Sequence, residues 1–244
     1  LLAYSLDPEA PHPSDLVTEG VVVAPVAVEL RDVRIGPPDS PVLKNVSLRI
    51  QPGEHIAVVG ASDDPAKWGN WIARNVLKGA HRREVYLVNR RGGELAGRHI
   101  YPSLRDLPGA AEMVVLAIPA SAVEAAIDDA LHNGARVFVA ITAGFGEQGA
   151  AGQAQEARIV QKVRDAGARL LGPNCMGVSD ASAELYIASG DDETGPVALV
   201  SQSGNLGIEI GLMLQREGLG FSRLVSLGNQ ADIGAEEVLE SLIA

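Results

Sequence analysis

Three short segments of the sequence contain glycine, hydroxyl or basic residues in patterns that could bind a phosphate group. Gly60-Ala-Ser62 follows an apolar run, and Gly60 permits a tight turn there, so Ser62 and the neighbouring N–H groups can face an anion at a helix start. Arg90 and Arg91 follow the next apolar run. Ser201-Gln-Ser-Gly-Asn205 follows a later one, where hydroxyls and free N–H groups at a helix start also favour an anion. The shared chemistry is binding of a phosphorylated ligand.

Each of these points also has a simpler explanation. The Gly60 loop could be a plain strand-to-helix turn, the arginines a solvated basic loop, and Ser203 an ordinary helix N-cap. Two phosphate motifs are absent: Pro65 stands where a P-loop has its second glycine, and Ser62 where the dinucleotide fingerprint has its second glycine. The Gly-x-Ser-x-Gly nucleophile elbow of α/β-hydrolases is also absent, since no glycine lies two residues before Ser201 or Ser203.

The two arginines indicate which phosphorylated ligand fits. NAD-binding folds usually place Asp or Glu near this position for the ribose 2′-hydroxyl, whereas guanidinium groups suit a phosphorylated ribose. NADP and the 3′-phosphate of coenzyme A both meet this requirement. Cys175 could be a nucleophile, but no histidine is evidently placed to activate it, so a small buried or site-lining thiol is the favoured interpretation. No catalytic residue and no metal ligand is predicted.

The elements that must position these residues alternate along the chain. Short apolar runs predict strands at 55–59, 85–88, 113–118, 137–142 and 169–171. Amphipathic segments predict helices at 68–78, 122–132 with Ser121 as N-cap, and 153–166 closed by Gly167. This alternation is typical of a parallel sheet covered on both faces, which is a Rossmann-like, doubly wound α/β domain.

Four segments are predicted in all. Residues 1–25, rich in proline, read as a disordered tail, and 26–53 as a β-ribbon around a Gly-Pro turn. The Rossmann-like domain spans 54–188. Residues 195–244, with strands at 197–200 and 222–226 and helices at 205–216 and 235–243, open a second α/β domain that reads as cut off.

Composition narrows the function classes. The 244 residues carry a net charge of −11, which repels nucleic acid and anionic membranes, so neither is a predicted partner. The single cysteine excludes an internal disulfide framework and a multi-cysteine zinc site, and favours a cytoplasmic setting. No apolar run reaches the roughly 20 residues of a membrane span. The apolar faces of strands 197–200 and 222–226 would lie uncovered, so we expect association, including a possible homo-oligomer.

Over residues 54–244 the ordered loops resemble the acyl-CoA synthetases that form a nucleoside diphosphate, relatives of the succinyl-CoA synthetase alpha subunit. The segments that carry the resemblance are Val58-Val-Gly-Ala-Ser-Asp63, Leu87-Val-Asn-Arg90, Ile141-Thr-Ala-Gly144, Gly172-Pro-Asn-Cys175, Val200-Ser-Gln-Ser-Gly-Asn205 and Ser226-Leu-Gly-Asn-Gln-Ala-Asp232. The resemblance implies a CoA-binding Rossmann domain followed by a flavodoxin-like ligase domain. It also implies joining of a carboxylic acid to coenzyme A through an acyl phosphate and a phosphohistidine, together with a nucleotide-grasp (beta-type) domain or subunit.

The resemblance also implies roles for individual residues. For coenzyme A it implies that the phosphates are bound by Gly60, Ala61, Ser62 and Lys67, and the nucleotide end by Asn89, Arg90 and Arg91. It also implies that the pantetheine path is lined by Pro119 and Thr142, and that the thiol lies near Asn174 and Cys175. The phosphoryl group that is transferred would be held by Ser201, Ser203, Gly204 and Asn205.

The chain departs from the family pattern in two respects. None of its five histidines follows Ser203 or sits in the family's histidine context, and no nucleotide-grasp part is recognised, so we expect the chain to bind CoA without turning over alone. Residues 28–60 resemble instead the opening strands of an ABC-type ATPase, without its P-loop. A non-catalytic CoA sensor or interaction module is the alternative function, and an NADP-dependent oxidoreductase is a third. The acid and the choice of ATP or GTP are not specified by the sequence.

Overall fold

A computed structural model of the protein describes residues 28–35, 43–50, 55–188 and 194–243. The five α-helices in these ranges are α1 (Trp68–Lys78), α2 (Ala120–His132), α3 (Ala150–Asp165), α4 (Gly204–Arg216) and α5 (Ala235–Ile243). The strands are β1 (Val28–Ile35), β2 (Leu43–Ile50), β3 (Ile56–Val59), β4 (Val85–Val88), β5 (Gly93–Leu95), β6 (Arg98–Tyr101), β7 (Met113–Leu116), β8 (Val137–Ala140), β9 (Arg169–Leu171), β10 (Gly177–Asp180), β11 (Leu185–Tyr186), β12 (Thr194–Ser201) and β13 (Phe221–Ser226).

A seven-stranded sheet forms the centre of the larger unit, in the order β5-β6-β4-β3-β7-β8-β9. All of its neighbouring strands are parallel except β5, which is antiparallel to β6. Along β3, Ala57 and Val59 pack into one buried cluster while Ile56 and Val58 pack into another. Successive side chains of a strand point to opposite faces, so both faces of this sheet are buried, as a parallel sheet requires. The predicted Rossmann-like α/β fold is confirmed.

A smaller four-stranded sheet follows, in the order β11-β10-β13-β12. Strands β12 and β13 are parallel, whereas β10 runs antiparallel to β13. The strands β10 and β11 precede residue 188, so the chain joins the second sheet earlier than the sequence indicated. Residues Gly53–Ala244 form one compact unit. The boundary drawn between 54–188 and 195–244 stays a prediction.

The N-terminal unit, Leu1–Pro52, contains an antiparallel pair of strands. Val28 lies opposite Ile50, and Ile35 opposite Leu43. The sequence placed a ribbon in this region, with its first strand two residues earlier. The predicted tail, 1–25, and the predicted turn of the ribbon lie outside the described residues. The resemblance to an ABC-type ATPase stays a prediction.

Element boundaries differ from the expected ones where local chemistry overrides a pattern. Helix α2 begins at Ala120 with Pro119 in the N-cap position, so the assignment of Ser121 as the cap was wrong. Proline's fixed φ suits a helix start, and its missing N–H costs nothing there. Strand β12 passes through Pro196, which an edge strand tolerates, and its register shifts between Thr194 and Val197.

The apolar face of strand 222–226 is covered, which corrects the expectation of an open face. Phe221, Leu224 and Val225 are buried, and Phe221 and Leu224 pack with Ile210 and Leu214 of α4. Exposed apolar side chains lie instead on the outer side of α4, notably Met213. Whether the chain forms a homo-oligomer stays a prediction. Within the described residues, no helix has the length and apolar character needed to cross a membrane.

A buried carboxylate connects the two sheets. Asp232, in the loop between β13 and α5, accepts hydrogen bonds from Arg164 Nε at 2.6 Å, Arg169 Nε at 3.1 Å and the Leu170 N–H at 2.7 Å. Burial acts to raise the pKa of Asp232, but these donors outweigh it and hold the pKa below its ordinary value. Arg169 also makes a bidentate ion pair with Glu237 of α5, with Nη1 to Oε1 at 2.6 Å and Nη2 to Oε2 at 2.8 Å. The β13–α5 segment is thereby fixed on α3 and β9.

Substituting Asp232→Ala should lower the free energy of unfolding by at least about 2 kcal/mol, because the Leu170 N–H and two guanidinium groups lose a charged acceptor. The control is Asp129→Ala, which removes the exposed ion pair with Arg105 and should cost no more than about 1 kcal/mol. Urea unfolding followed by circular dichroism measures both.

The stabilisation by Asp232 should persist at neutral pH and be lost as the pH falls through its lowered pKa. Equal effects of the two substitutions would contradict this account.

Candidate functional site

The carboxyl ends of five parallel strands lie side by side at one edge of the seven-stranded sheet. Their order is β4, β3, β7, β8, β9. The loops that follow them therefore line up in space in an order that differs from their order in the sequence. In open α/β sheets this edge is where ligands bind. The predicted site residues between 60 and 175 all lie in these loops or at the first turn of the helices that follow.

The loop after β3 depends on two close backbone approaches. Gly60 has φ +100°, and a Cβ there would lie 2.2 Å from the Ala117 carbonyl oxygen. A Cβ at Gly69, in the first turn of α1, would lie 1.9 Å from the Gly60 carbonyl oxygen. The buried Asn70 side chain donates to the Ser62 carbonyl at 2.8 Å. Helix α1 is thus packed directly on the turn, and the loop has a fixed shape.

The loop after β4 carries two free cationic groups next to this turn. Asn89 Nδ2 donates to the Ala61 carbonyl at 2.7 Å, and Asn89 Oδ1 accepts from the Arg91 N–H at 3.1 Å. Asn89 therefore ties the second loop to the first. Arg90 and Arg91 are exposed, and neither forms an ion pair with any of the described residues. Their guanidinium groups are available to an anion.

A cavity of about 530 Å³ lies between the carboxyl edge of the large sheet and the start of α4. Of the residues predicted for the site, six line it: Thr142, Asn174, Cys175, Ser203, Gly204 and Asn205. The others predicted for the site lie outside its lining: Gly60, Ala61, Ser62, Lys67, Asn89, Arg90, Arg91, Pro119 and Ser201. The structure thus brings residues predicted for the CoA thiol and residues predicted for the phosphoryl group into one cavity.

Six further residues line the cavity that the sequence did not single out: Trp68, Ala117, Ile141, Ala143, Met176 and Gln202. A signal existed for four of them, since Trp68, Ala143, Met176 and Gln202 each directly follow a predicted site residue. The apolar Ala117 and Ile141 lie one residue before the ends of the predicted strands 113–118 and 137–142, and such residues cannot be told from ordinary core residues by pattern alone.

The start of α4 closes one side of the cavity. Ser203 Oγ accepts from the Leu206 N–H at 3.3 Å, and Ser201 Oγ donates to the Ser203 carbonyl at 2.9 Å. Ser203 is therefore a helix N-cap, the simpler role considered for it. The N–H groups of Gly204 and Asn205 stand at the first turn of a 13-residue helix, where no intrahelical acceptor exists for them. This end of α4 is suited to an anion by dipole and by free donors.

Gly204 lies against the side chain of Met176 across the cavity. A Cβ at Gly204 would lie 1.9 Å from Met176 Cγ. Met176 is the last residue of the loop between β9 and β10, so α4 touches this loop here. Helix α4 and the loop after β9 therefore both contribute to the cavity wall.

The loop after β9 is held in place by hydrogen bonds from the second sheet. Asn229 Nδ2 donates to Glu147 and to Glu156, each at 2.7 Å, and Asn174 Nδ2 donates to Asn229 Oδ1 at 3.3 Å. Burial acts to raise the pKa of Glu147, but the bonds from Asn229 and from the Gly144 and Phe145 N–H groups lower it on balance. Glu147 is thus held as a carboxylate, and it orients the amide that positions Asn174.

Two predicted site residues use their polar atoms within the protein. Thr142 Oγ1 donates to the Ile118 carbonyl at 2.7 Å, which fixes the loop that leads to Pro119. The Cys175 thiol donates to the Ala140 carbonyl at 3.3 Å, and Cys175 is 4% exposed. Burial raises the pKa of that thiol to about 12. The favoured interpretation of Cys175 as a buried, site-lining thiol agrees with this geometry, and a thiolate nucleophile does not.

Among the described residues, no group of three or more His, Cys, Asp or Glu side chains could hold a metal ion. The site is instead built from backbone N–H groups, two free guanidinium groups and a cavity with both polar and apolar lining residues. These features suit an elongated ligand with phosphate at one end.

Comparison with known families agrees with this geometry. Residues 54–181, more than half of the 244, match the CoA binding domain. The chain belongs to this CoA-binding family. Residues 194–244 match the succinyl-CoA ligase like flavodoxin domain. The predicted resemblance to succinyl-CoA synthetase and its relatives is confirmed, and coenzyme A is the cofactor that the family supports.

Relatives include enzymes and solved structures. The chain is 37% identical over 190 residues to the alpha subunit of an ADP-forming acetate–CoA ligase of Pyrococcus furiosus, covering 77% of this chain and 41% of that subunit. An acetyl-coenzyme A synthetase of Ca. Korarchaeum cryptofilum is 38% identical with a TM-score of 0.72, covering 77% of this chain and 40% of that one. A Pyrococcus horikoshii protein is 36% identical with a TM-score of 0.74, covering 78% and 43%. The chain therefore spans about two fifths of the length of these relatives.

The buried state of Cys175 predicts slow thiol chemistry. Because its pKa is about 12 against an ordinary 9.0, the thiolate fraction at pH 8 should be about a thousandfold lower than for an exposed cysteine. Labelling with a disulfide reagent should be correspondingly slow in the native protein and fast after unfolding in urea. Since the chain has one cysteine, the signal is unambiguous. Fast native labelling would show that the thiol is accessible and ionised.

Proposed function

We propose that this chain supplies the coenzyme A-binding part of an acyl-CoA ligase that forms a nucleoside diphosphate. The overall reaction joins a carboxylic acid to CoA and splits a nucleoside triphosphate into diphosphate and inorganic phosphate, through an acyl phosphate and a phosphohistidine. The observation that carries the proposal is the spatial order of the loops. Free cationic groups, a phosphate-compatible turn and a cavity follow one another along a single sheet edge.

This order matches the order of the parts of CoA. Arg90 and Arg91 follow β4, the Gly60–Lys67 loop follows β3, Pro119 follows β7, and Thr142 follows β8. Cys175 follows β9. The four strand spacings from β4 to β9 cover on the order of 19 Å, at about 4.8 Å per spacing. An extended CoA would place its 3′-phosphate at the arginines, its diphosphate at the Gly60 loop and its thiol near Asn174 and Cys175.

The roles of the individual residues follow from this placement. Gly60, Ala61, Ser62 and Lys67 would bind the diphosphate through N–H groups and one cation, and Asn89 would shape the turn. Pro119 and Thr142 would line the pantetheine path.

A phosphoryl group would bind at the start of α4. Ser201 and Ser203 shape the turn, and the N–H groups of Gly204 and Asn205 point from the helix end that lines the cavity. Preorganised donors of this kind stabilise charge that develops during phosphoryl and acyl transfer. The same cavity would thus receive the CoA thiol and the acyl phosphate, which must meet for the thioester to form.

The electrostatic background makes the two arginines informative. The chain carries a net charge of −11, so a polyanionic ligand meets overall repulsion and needs local cations. Arg90 and Arg91 are exposed and unpaired among the described residues, and they lie beside the Gly60 loop.

The remaining parts of the ligase would come from segments or chains that carry the phosphohistidine and the nucleotide-grasp site. The chain matches 41% of the Pyrococcus furiosus subunit, whose name states that it is one subunit of an ADP-forming ligase. A carboxylic acid and a beta-type nucleotide-grasp partner are therefore the proposed further ligands of the assembled enzyme.

Substituting Arg91→Ala should weaken CoA binding about 10- to 100-fold, because a charge-assisted bond to the 3′-phosphate is lost. Binding of dephospho-CoA, which lacks that phosphate, should change little. Isothermal titration calorimetry measures both ligands, and Arg90→Ala is tested beside it. Arg158→Ala, an exposed arginine of α3, is the control and should bind as the wild type does. Equal weakening for CoA and dephospho-CoA would sink the assignment, and no binding of CoA by the wild type would sink the proposed function.

Mixing the chain with the phosphohistidine and nucleotide-grasp parts of an ADP-forming ligase should yield acyl-CoA from acid, ATP and CoA. The chain alone should yield none. Product formation is followed by chromatography, and size-exclusion chromatography confirms that a complex forms. A complex that binds CoA yet forms no acyl-CoA would favour a non-catalytic CoA sensor instead.

A further inference from the structure

The Trp68 indole is an unusual surface group. Its side chain is 59% exposed, and it is the one aromatic among the exposed large apolar side chains of the described residues. It stands at the first position of α1, directly after the Gly60–Lys67 loop, and it lines the cavity. An indole exposed beside a concave site is costly in water and is a common contact for a ligand.

The indole of Trp68 is in contact with a second tryptophan. Its ring lies edge-on against Trp71, with centroids 5.6 Å apart and an interplanar angle of 89°. Trp71 packs against the buried cluster that includes Ile72 and Val76. Trp68 is thus supported from behind by the core, so one side of the indole is held while much of it stays exposed.

Apolar side chains form part of the cavity wall beside Trp68 and Cys175. Ala117, Ile141 and Met176 line it, and the hydroxyl of Thr142 and the thiol of Cys175 donate inward to backbone carbonyls. A ligand segment crossing this stretch can therefore contact these apolar side chains. In CoA the segment between the diphosphate and the thiol is the pantetheine arm, which carries a gem-dimethyl group and methylenes.

Resting on the proposed function, we propose that Trp68 is a specificity-determining residue whose indole packs on the pantetheine arm of CoA. The arm leaves the diphosphate loop at Lys67, crosses the face of Trp68 and enters the cavity toward Cys175 and Met176. The indole supplies a broad apolar contact at low entropic cost, since the side chain has only two rotatable bonds. It selects for ligands that carry the pantetheine arm over nucleotides that lack it.

Three ligands separate this contact from the rest of the site: CoA, 4′-phosphopantetheine and adenosine 3′,5′-bisphosphate. In Trp71→Phe, Trp68 is the single tryptophan of the chain. Its emission should shift with CoA and 4′-phosphopantetheine and stay constant with the bisphosphate. Calorimetry on Trp68→Ala should show about tenfold weaker binding of the first two ligands and unchanged binding of the bisphosphate. Trp68→Phe should restore most of the loss.

Met213→Ala is the matched control, because Met213 is also an exposed apolar residue, 63% exposed, but lies outside the cavity lining. It should bind all three ligands as the wild type does, and circular dichroism checks that each variant is folded. Wild-type binding of CoA together with undiminished binding by Trp68→Ala would overturn this inference and leave the proposed function standing. Loss of bisphosphate binding in Trp68→Ala would also overturn it. Failure of the wild type to bind CoA at all would instead reject the proposed function itself.

Discussion

The hydrogen bonds of Asp232 fix how the two sheets of residues 53–244 meet, and the cavity depends on that arrangement. Asp232 lies in the loop between β13 and α5, and its carboxylate is held by Arg164, Arg169 and the Leu170 N–H. Earlier in the same loop, the Asn229 N–H donates to the Pro173 carbonyl at 2.9 Å, and Asn229 orients Asn174. One wall of the cavity is thus built by the large sheet and positioned by the small one. A charged anchor of this kind specifies one arrangement of the sheets.

Close backbone approach is the second constraint. Glycines stand where loops touch, with a Cβ at Gly228 falling 2.2 Å from the Pro173 carbonyl oxygen and one at Gly60 falling 2.2 Å from that of Ala117. These contacts leave N–H groups and small side chains at the carboxyl edge. Since the chain is acidic overall, we propose that a polyanion bound there would be held by such N–H groups and by Arg90 and Arg91. Packing and electrostatics therefore point to the same edge of the sheet.

The sequence predicted the large sheet well because its strands are short apolar runs between amphipathic helices, and α1 was predicted at its observed bounds. It missed β5, β6, β10 and β11, since none of these short strands is an apolar run of three or more residues. It located the loops with glycines, serines and arginines but not Trp68 or Met176, because residue type alone does not show which apolar side chain faces a cavity. It also expected an open face at 222–226, because the packing of Ile210 and Leu214 of α4 on that face is a tertiary contact that no local pattern reports.

The most direct test of the central claim, that one CoA molecule spans this edge and ends in the cavity, is a crystal structure of the chain with CoA. The account predicts the 3′-phosphate within hydrogen-bonding distance of Arg90 or Arg91, the diphosphate at the Gly60 loop and the thiol between Cys175 and the start of α4. A CoA bound at another face, or in the reverse direction along the edge, would contradict it.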